Sequence, residues 1–199
     1  MKIYKRIAQT VLIGSLMSCS LQTAFADSFL GNRRDGGNVL VNYDASVASS
    51  GHTAIFDSAR VNWSFISSKV TVAATSTLVS GYDRYFVGNT GTVGLLGRTT
   101  WYKKDATGAI VIAGVDDLWD HCTIAVYDNT MDANNMTNAQ RVSNCTHEIG
   151  HSLKLAHPGQ GTKRVAAVPA GRGAVMNQGI QDFGPQQYDK DELIYKWGS

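Results

Sequence analysis

His147-Glu148-Ile149-Gly150-His151-Ser152-Leu153-Lys154-Leu155-Ala156-His157 carries three of the five histidines in this 199-residue chain. His147, Glu148 and His151 form H-E-x-x-H, the pattern expected of a zinc hydrolase. On an α-helix, residues four apart differ by about 40° of rotation and about 6 Å of rise. Both imidazoles therefore leave one face and can converge on one ion. His157, six residues on, would sit about 240° around a continuing helix. It can join the other two only if the chain turns sharply after Leu153, and Pro158 blocks a smooth helical continuation. Catalytic zinc takes three protein ligands and keeps a fourth position open. His147, His151 and His157 are thus the candidate zinc ligands.

Glu148 is one of two glutamates in the chain, the other being Glu192. A carboxylate beside the ion can take a proton from water as it attacks a carbonyl, then pass it to the leaving amine. The residues point to metal-assisted amide hydrolysis with Glu148 as general base. The competing reading is a structural zinc site, but such sites usually have four protein ligands and favour cysteine. Neither a fourth ligand nor a C-x-x-C stands nearby.

The N-terminus reads as an export signal over residues 1–26. Lys2, Lys5 and Arg6 make a basic start, and Val11, Leu12, Ile13, Leu16 and Met17 an apolar run. Ala24-Phe25-Ala26 then gives a small-x-small cleavage pattern. The apolar run is short of the roughly 20 residues of a spanning helix. Cleavage after Ala26 would leave 27–199 as one domain in a secreted, extracellular or periplasmic protein. It would remove three cations and no acid, turning the formal charge of +2 into −1. No polybasic run remains, so neither nucleic acid nor, after signal removal, a membrane is an expected partner. A monomer is expected. Cys19 leaves with the signal, and Cys122 and Cys145 remain as a candidate disulfide bracing the histidine helix, with two buried thiols as the alternative.

Periodicity gives an α+β chain. Strands are expected at Val39–Tyr43, Lys69–Ala74, Tyr82–Val87, Leu95–Tyr102, Ala109–Ala113 and Thr123–Tyr127. Asp105-Ala106-Thr107-Gly108 is a turn signal. Ile55, Ala59, Trp63 and Ile66 mark a helix over Thr53–Ile66. Thr137 and Gln140 resemble a capping box opening the helix that runs through the histidines. A final helix is expected over Gln187–Tyr195. Asp27–Asn38 reads as a mobile start and residues 159–174 as a long loop.

The spacing H-E-x-x-H-x-x-x-x-x-H resembles the metzincin clan of zinc endopeptidases, whose pattern is H-E-x-x-H-x-x-G-x-x-H. The likeness implies a zincin-like fold: a twisted mixed sheet of about five strands with an N-terminal helix and an active-site helix, then a small C-terminal subdomain with a Met-turn and a final helix. Ala174-Val175-Met176-Asn177 looks like that turn, with Met176 beneath the zinc. The layout over 38–198 is similar to a compact bacterial matrixin. In that likeness Leu96, Gly97, Arg98 and Thr99 belong to the edge strand that pairs with substrate. Pro169, Gly171 and Arg172 fall in the loop that shapes the pocket after the cut.

The chain departs from the clan at Lys154, which stands where the clan has glycine in a shape costing other residues about 1 kcal/mol or more. No tyrosine closely follows Met176, unlike the astacin and serralysin branches. A thermolysin-like site would need Glu192 as third ligand, and Glu192 lacks the accompanying aspartate. The resemblance implies a secreted zinc endopeptidase acting on protein or peptide substrates. The alternative is a secreted zinc-containing binding protein or inactive homologue without peptidase activity. Asp116, Asp117 and Asp120, near His121, could hold calcium or form a solvated acidic loop.

Overall fold

Alternating burial shows how the sheet is built. Val39 and Val41 are buried in one strand, and Cys122, Ile124 and Val126 in another, with more exposed residues between most of them. That is the two-residue period of a strand with one face on a core. The computed structural model describes residues 23–29, 31–33, 36–77, 81–160, 163–169 and 173–199. Its elements are β1 (Thr23–Ser28), β2 (Asn38–Tyr43), α1 (Ala45–Ser49), α2 (Thr53–Val61), β3 (Thr71–Ala74), β4 (Asp83–Gly88), β5 (Gly97–Lys104), β6 (Ile110–Ile112), β7 (His121–Tyr127), α3 (Asp128–Ala133), α4 (Asn138–Ser152), β8 (Lys163–Pro169) and α5 (Gln187–Trp197).

Six strands form one mixed sheet in the order β3-β2-β4-β7-β5-β6, the six that periodicity gave and one more than the resemblance implied. β2 pairs in parallel with β3 and β4, and β4 with β7; β5 runs antiparallel to both β7 and β6. The β5–β6 turn is set by Asp105, whose Oδ1 accepts from the Thr107 and Ala109 amides. The architecture is α+β.

Two helices matter for the site. α4 opens on a complete capping box: the Thr137 hydroxyl accepts from Gln140 N, and Gln140 Oε1 accepts from Thr137 N. α2 lies against it. The Trp63 indole donates to Thr146 O at 2.8 Å and Asn62 Nδ2 to Thr146 Oγ1 at 2.9 Å. Phe56, Ala59, Cys145 and Ile149 meet Tyr85 and Ile124 of the sheet in a single core.

Several expectations change. α2 stops at Val61 rather than Ile66, and Phe65 has a positive φ of 65° that no helix continues through. The residues of the 159–174 loop include β8, which pairs with β1 in a second, two-stranded sheet. The expected mobile start is tied down at several points. Ser28 bridges Leu155, and the buried Arg33 pairs with the buried Asp83 at 2.8 Å. Lys196 Nζ donates to the carbonyls of Phe29 and Gly31. Of the expected signal, residues 1–22 lie outside the described residues, and β1 runs through the Ala26 position. Among the described residues, no helix is long and apolar enough to cross a membrane.

The Cys122–Cys145 disulfide is not formed. Both are free thiols, fully buried, Cys122 on β7 and Cys145 on α4. Each side chain is spent on packing the core between sheet and helix. Burial pushes both thiols up, which keeps them protonated and unreactive.

Candidate metal centre

α4 carries His147 and His151 on one face and then ends at Ser152. The ending is a Schellman motif. Leu155 N donates to Gly150 O at 3.1 Å, and Lys154 N to His151 O at 3.0 Å. The residue between needs a left-handed backbone, and Lys154 has φ 70°. Here the chain makes the sharp turn that His157 requires.

The three Nε2 atoms stand 3.1 Å from one another. Each Nδ1 faces outward to an oxygen: His147 to Val175 O at 2.8 Å, His151 to Leu155 O at 2.8 Å, His157 to Gln160 Oε1 at 2.9 Å. A backbone carbonyl can only accept, so in His147 and His151 the proton sits on Nδ1. In His157 the nearer Gln160 oxygen favours the same tautomer over the Gln178 amide nitrogen at 3.4 Å, and three Nε2 lone pairs then point at one another. Lone pairs cannot bond to each other; a cation between them can satisfy all three. A tetrahedral ion bound by nitrogen at about 2.0–2.1 Å separates its ligands by about 3.3 Å, close to the spacing found. Burial lowers the pKa of all three imidazoles, and in His151 the other two histidines lower it further. They are neutral ligands at pH 7. Among the described residues this is the one cluster of three or more His, Cys, Asp or Glu whose ligand atoms all lie within 4.8 Å of one another.

Glu148 is buried beside them. Its Oε2 is 2.7 Å from Thr99 Oγ1, which also lies 2.8 Å from Glu148 O. Burial raises its pKa to about 7, while the Thr99 hydroxyl, His157 and Arg98 pull the other way. A carboxyl poised near neutrality suits a group that must take and return a proton.

The histidines and Glu148 open into a cleft of about 450 Å³, lined also by Leu95, Leu96, Gly97, Arg98, Thr99 and Trp101. β5 pairs with β7 over Gly97–Tyr102, but with β6 only over Tyr102–Lys104. Beyond Trp101, whose carbonyl accepts from Ala113 N, the other edge of Gly97–Thr100 has no strand partner among the described residues.

Met176 is fully buried in the tight turn closed by Asn177 N to Ala174 O at 3.1 Å. Its sulfur lies against Gly150 of α4, where an added Cβ would come within 2.3 Å of it. The turn is held from behind by Asp189 on α5. Its carboxylate accepts from Val175 N at 2.8 Å, Met176 N at 3.2 Å and Gln186 N at 2.7 Å. Because Val175 O also anchors His147, Asp189 acts on that candidate ligand through one residue. Burial raises the Asp189 pKa, against those backbone donors. Nothing in the spacing of the sequence singled out Asp189 or Gln160, which act through tertiary contacts.

Gly171 and Arg172 lie outside the described residues, and Pro169 ends β8. Asp116, Asp117 and Asp120, read as a calcium site or a solvated acidic loop, are not among the described groups whose ligand atoms converge. Asp117 accepts from Lys103 Nζ at 2.6 Å and from Gly114 N, and Asp120 from Lys104 N. No protein-family model matches the chain, and no curated protein matches it.

Proposed function

We propose that this chain is an exported zinc endopeptidase with a metzincin-type site. The observation that carries the reading is the convergence of three neutral Nε2 lone pairs beside a buried carboxylate, in a cleft bordered by an open strand edge. His147, His151 and His157 would hold zinc, with Met176 beneath them. Zinc, when bound, polarises a carbonyl and makes water more acidic.

The remaining work falls to the chain. The open edge of Gly97–Thr100 offers backbone groups to an extended peptide, which holds the scissile bond with little demand on its sequence. Thr99 fixes one oxygen of Glu148 and leaves Oε1 for the proton of the attacking water. That carboxyl then gives the proton to the leaving amine nitrogen, so the base returns to its starting state. Export through residues 1–26 and a single processed domain complete the proposal.

The decisive experiment compares the mature chain with Glu148→Ala in metal analysis and peptide-library cleavage. The expected result is equal zinc content and cleavage by the wild type alone. A zinc-loaded wild type that cleaves nothing would favour a zinc-containing binding protein. Cleavage by Glu148→Ala at the wild-type rate would remove Glu148 from the chemistry.

A further inference from the structure

Lys154 is the one lysine in the chain whose exposure falls to zero among the described residues. It sits in the turn between His151 and His157, in a backbone shape that favours glycine. Two costs meet there: a left-handed residue with a Cβ, and a buried ammonium. Contacts of the side chain must offset both.

Those contacts form a cage. Nζ donates to the carbonyls of Val115 and Asp117, the latter at 3.1 Å. It lies 3.5 Å from the centre of the Trp119 ring and 5.9 Å from that of Trp101. Gly31 closes another side, since a Cβ there would come within 2.5 Å of Nζ. Acceptor carbonyls and aromatic faces are the groups that receive a cation. The same rings lead back to the histidines. Trp119 stacks on Trp101 at 5.4 Å, and the Trp101 indole donates to His151 O at 3.1 Å.

We infer that the Lys154 ammonium is a tethered cation that fills a carbonyl and tryptophan cage in the 113–119 loop, and thereby positions the turn that delivers His157. Lys154 is a positioning residue, and its effect on the metal rests on the zinc reading of the triad. Its hold on the loop does not. The backbone on both sides of the side chain is engaged too: Phe29 N donates to Lys154 O, and Leu155 O receives His151 Nδ1. Moving the turn therefore moves two ligands at once. Burial and the nearby Lys196 lower the Lys154 pKa to about 7, with Asp116 and Asp117 opposing them, so the test is run at about pH 6, where the ammonium is the main form.

The test uses the full mature chain with Lys154→Gly, Lys154→Met and Lys154→Arg. Glycine relieves the backbone and removes the cation, so it separates the two effects. Zinc affinity is read by competition with a chromophoric chelator, and the 113–119 loop by amide hydrogen exchange, with β7 amides as internal reference. Lys154→Gly should weaken zinc binding by about 10–100-fold, the usual cost of losing a partner behind a ligand. Exchange at Asp117 and Trp119 should rise about tenfold while β7 is unchanged. n-Butylammonium, which replaces the missing stem and charge, should restore both; n-butanol should not. Lys154→Arg should keep more of both than Lys154→Met. Wild-type affinity and exchange in Lys154→Gly would overturn the inference, as would equal rescue by n-butanol. Should the glycine variant not fold, wild-type exchange in Lys154→Met would overturn it. Neither readout involves cleavage, so failure of the peptidase reading would show separately. A wild-type chain that binds no zinc would sink that reading and leave loop exchange to judge Lys154.

Discussion

Gly97 on β5 lies directly against Glu148 on α4: a Cβ at Gly97 would come within 2.7 Å of both Glu148 Cγ and Oε1. The strand can pass the Glu148 carboxylate only where it has no side chain. Gly97→Ala should displace Oε1 while leaving the triad intact. We expect kcat/KM for peptide cleavage to fall about 100-fold, the scale of a misplacement of about 1 Å, with zinc content unchanged. Joint loss of zinc and activity would mean that Gly97 supports the fold rather than the base.

Gly150 makes the equivalent close approach on the opposite side of α4. A methyl there would meet Met176 Sδ at 2.3 Å and Trp63 Cζ2 at 2.9 Å. Both neighbours are fully buried and have little room to yield. Gly150→Ala should cost about 1–3 kcal/mol by overpacking, read from urea unfolding. A variant as stable as wild type would show that the Met176 turn can retreat.

Asp189 holds the turn that holds His147. Asp189→Asn keeps the shape but offers one acceptor oxygen to three backbone donors. Leaving buried amides unpaired costs about 1–3 kcal/mol. Zinc should bind more weakly than in wild type, because Val175 O no longer has a fixed place. Unchanged zinc affinity with lowered stability would confine Asp189 to the fold.

Stability of the zinc-stripped chain should depend on pH through the triad. In the unfolded chain each imidazole takes its proton near pH 6.5. In the folded chain burial depresses His147, His151 and His157 below that. Between the two values the unfolded state holds more protons, so stability is full above about pH 6.5 and is lost as the pH falls towards the depressed pKa values. Burial raises the Glu148 pKa to about 7 and also raises that of Asp189, and these carboxyls act in the opposite sense over the same range, so the measurement takes Glu148→Gln as parent. Its urea midpoint should be lower at about pH 5 than at about pH 7.5, and adding His151→Asn should flatten the dependence. A midpoint in the parent chain that ignores this range would mean the histidines are not buried as neutral groups.

Local chemistry was legible in the sequence, and contacts across the chain were not. The Thr137–Gln140 box, the Asp105 turn and the alternation in β2 and β7 depend on neighbours in sequence, so the residues themselves announce them. The short helices α1 and α3 have too few turns for a helical period to show. Phe65 cuts α2 short at a place where apolar spacing still looked helical. Cys122 and Cys145 have the parity of a disulfide, yet the distribution of core space between β7 and α4 decided their state. Within the site, His147, Glu148 and His151 follow from helical spacing. The Asp189 clamp and the Lys154 cage depend on loops meeting from distant regions of the chain.

The Schellman turn at Lys154 also bears on how such sites are recognised. A sequence pattern that demands glycine at this point treats as a chemical requirement what the fold requires only as a dihedral angle. Glycine reaches that angle at the lowest conformational cost, and a lysine whose side chain is bound elsewhere reaches it too. Chains that solve the turn in this second way fall outside the pattern while keeping the dihedral angle it stands for.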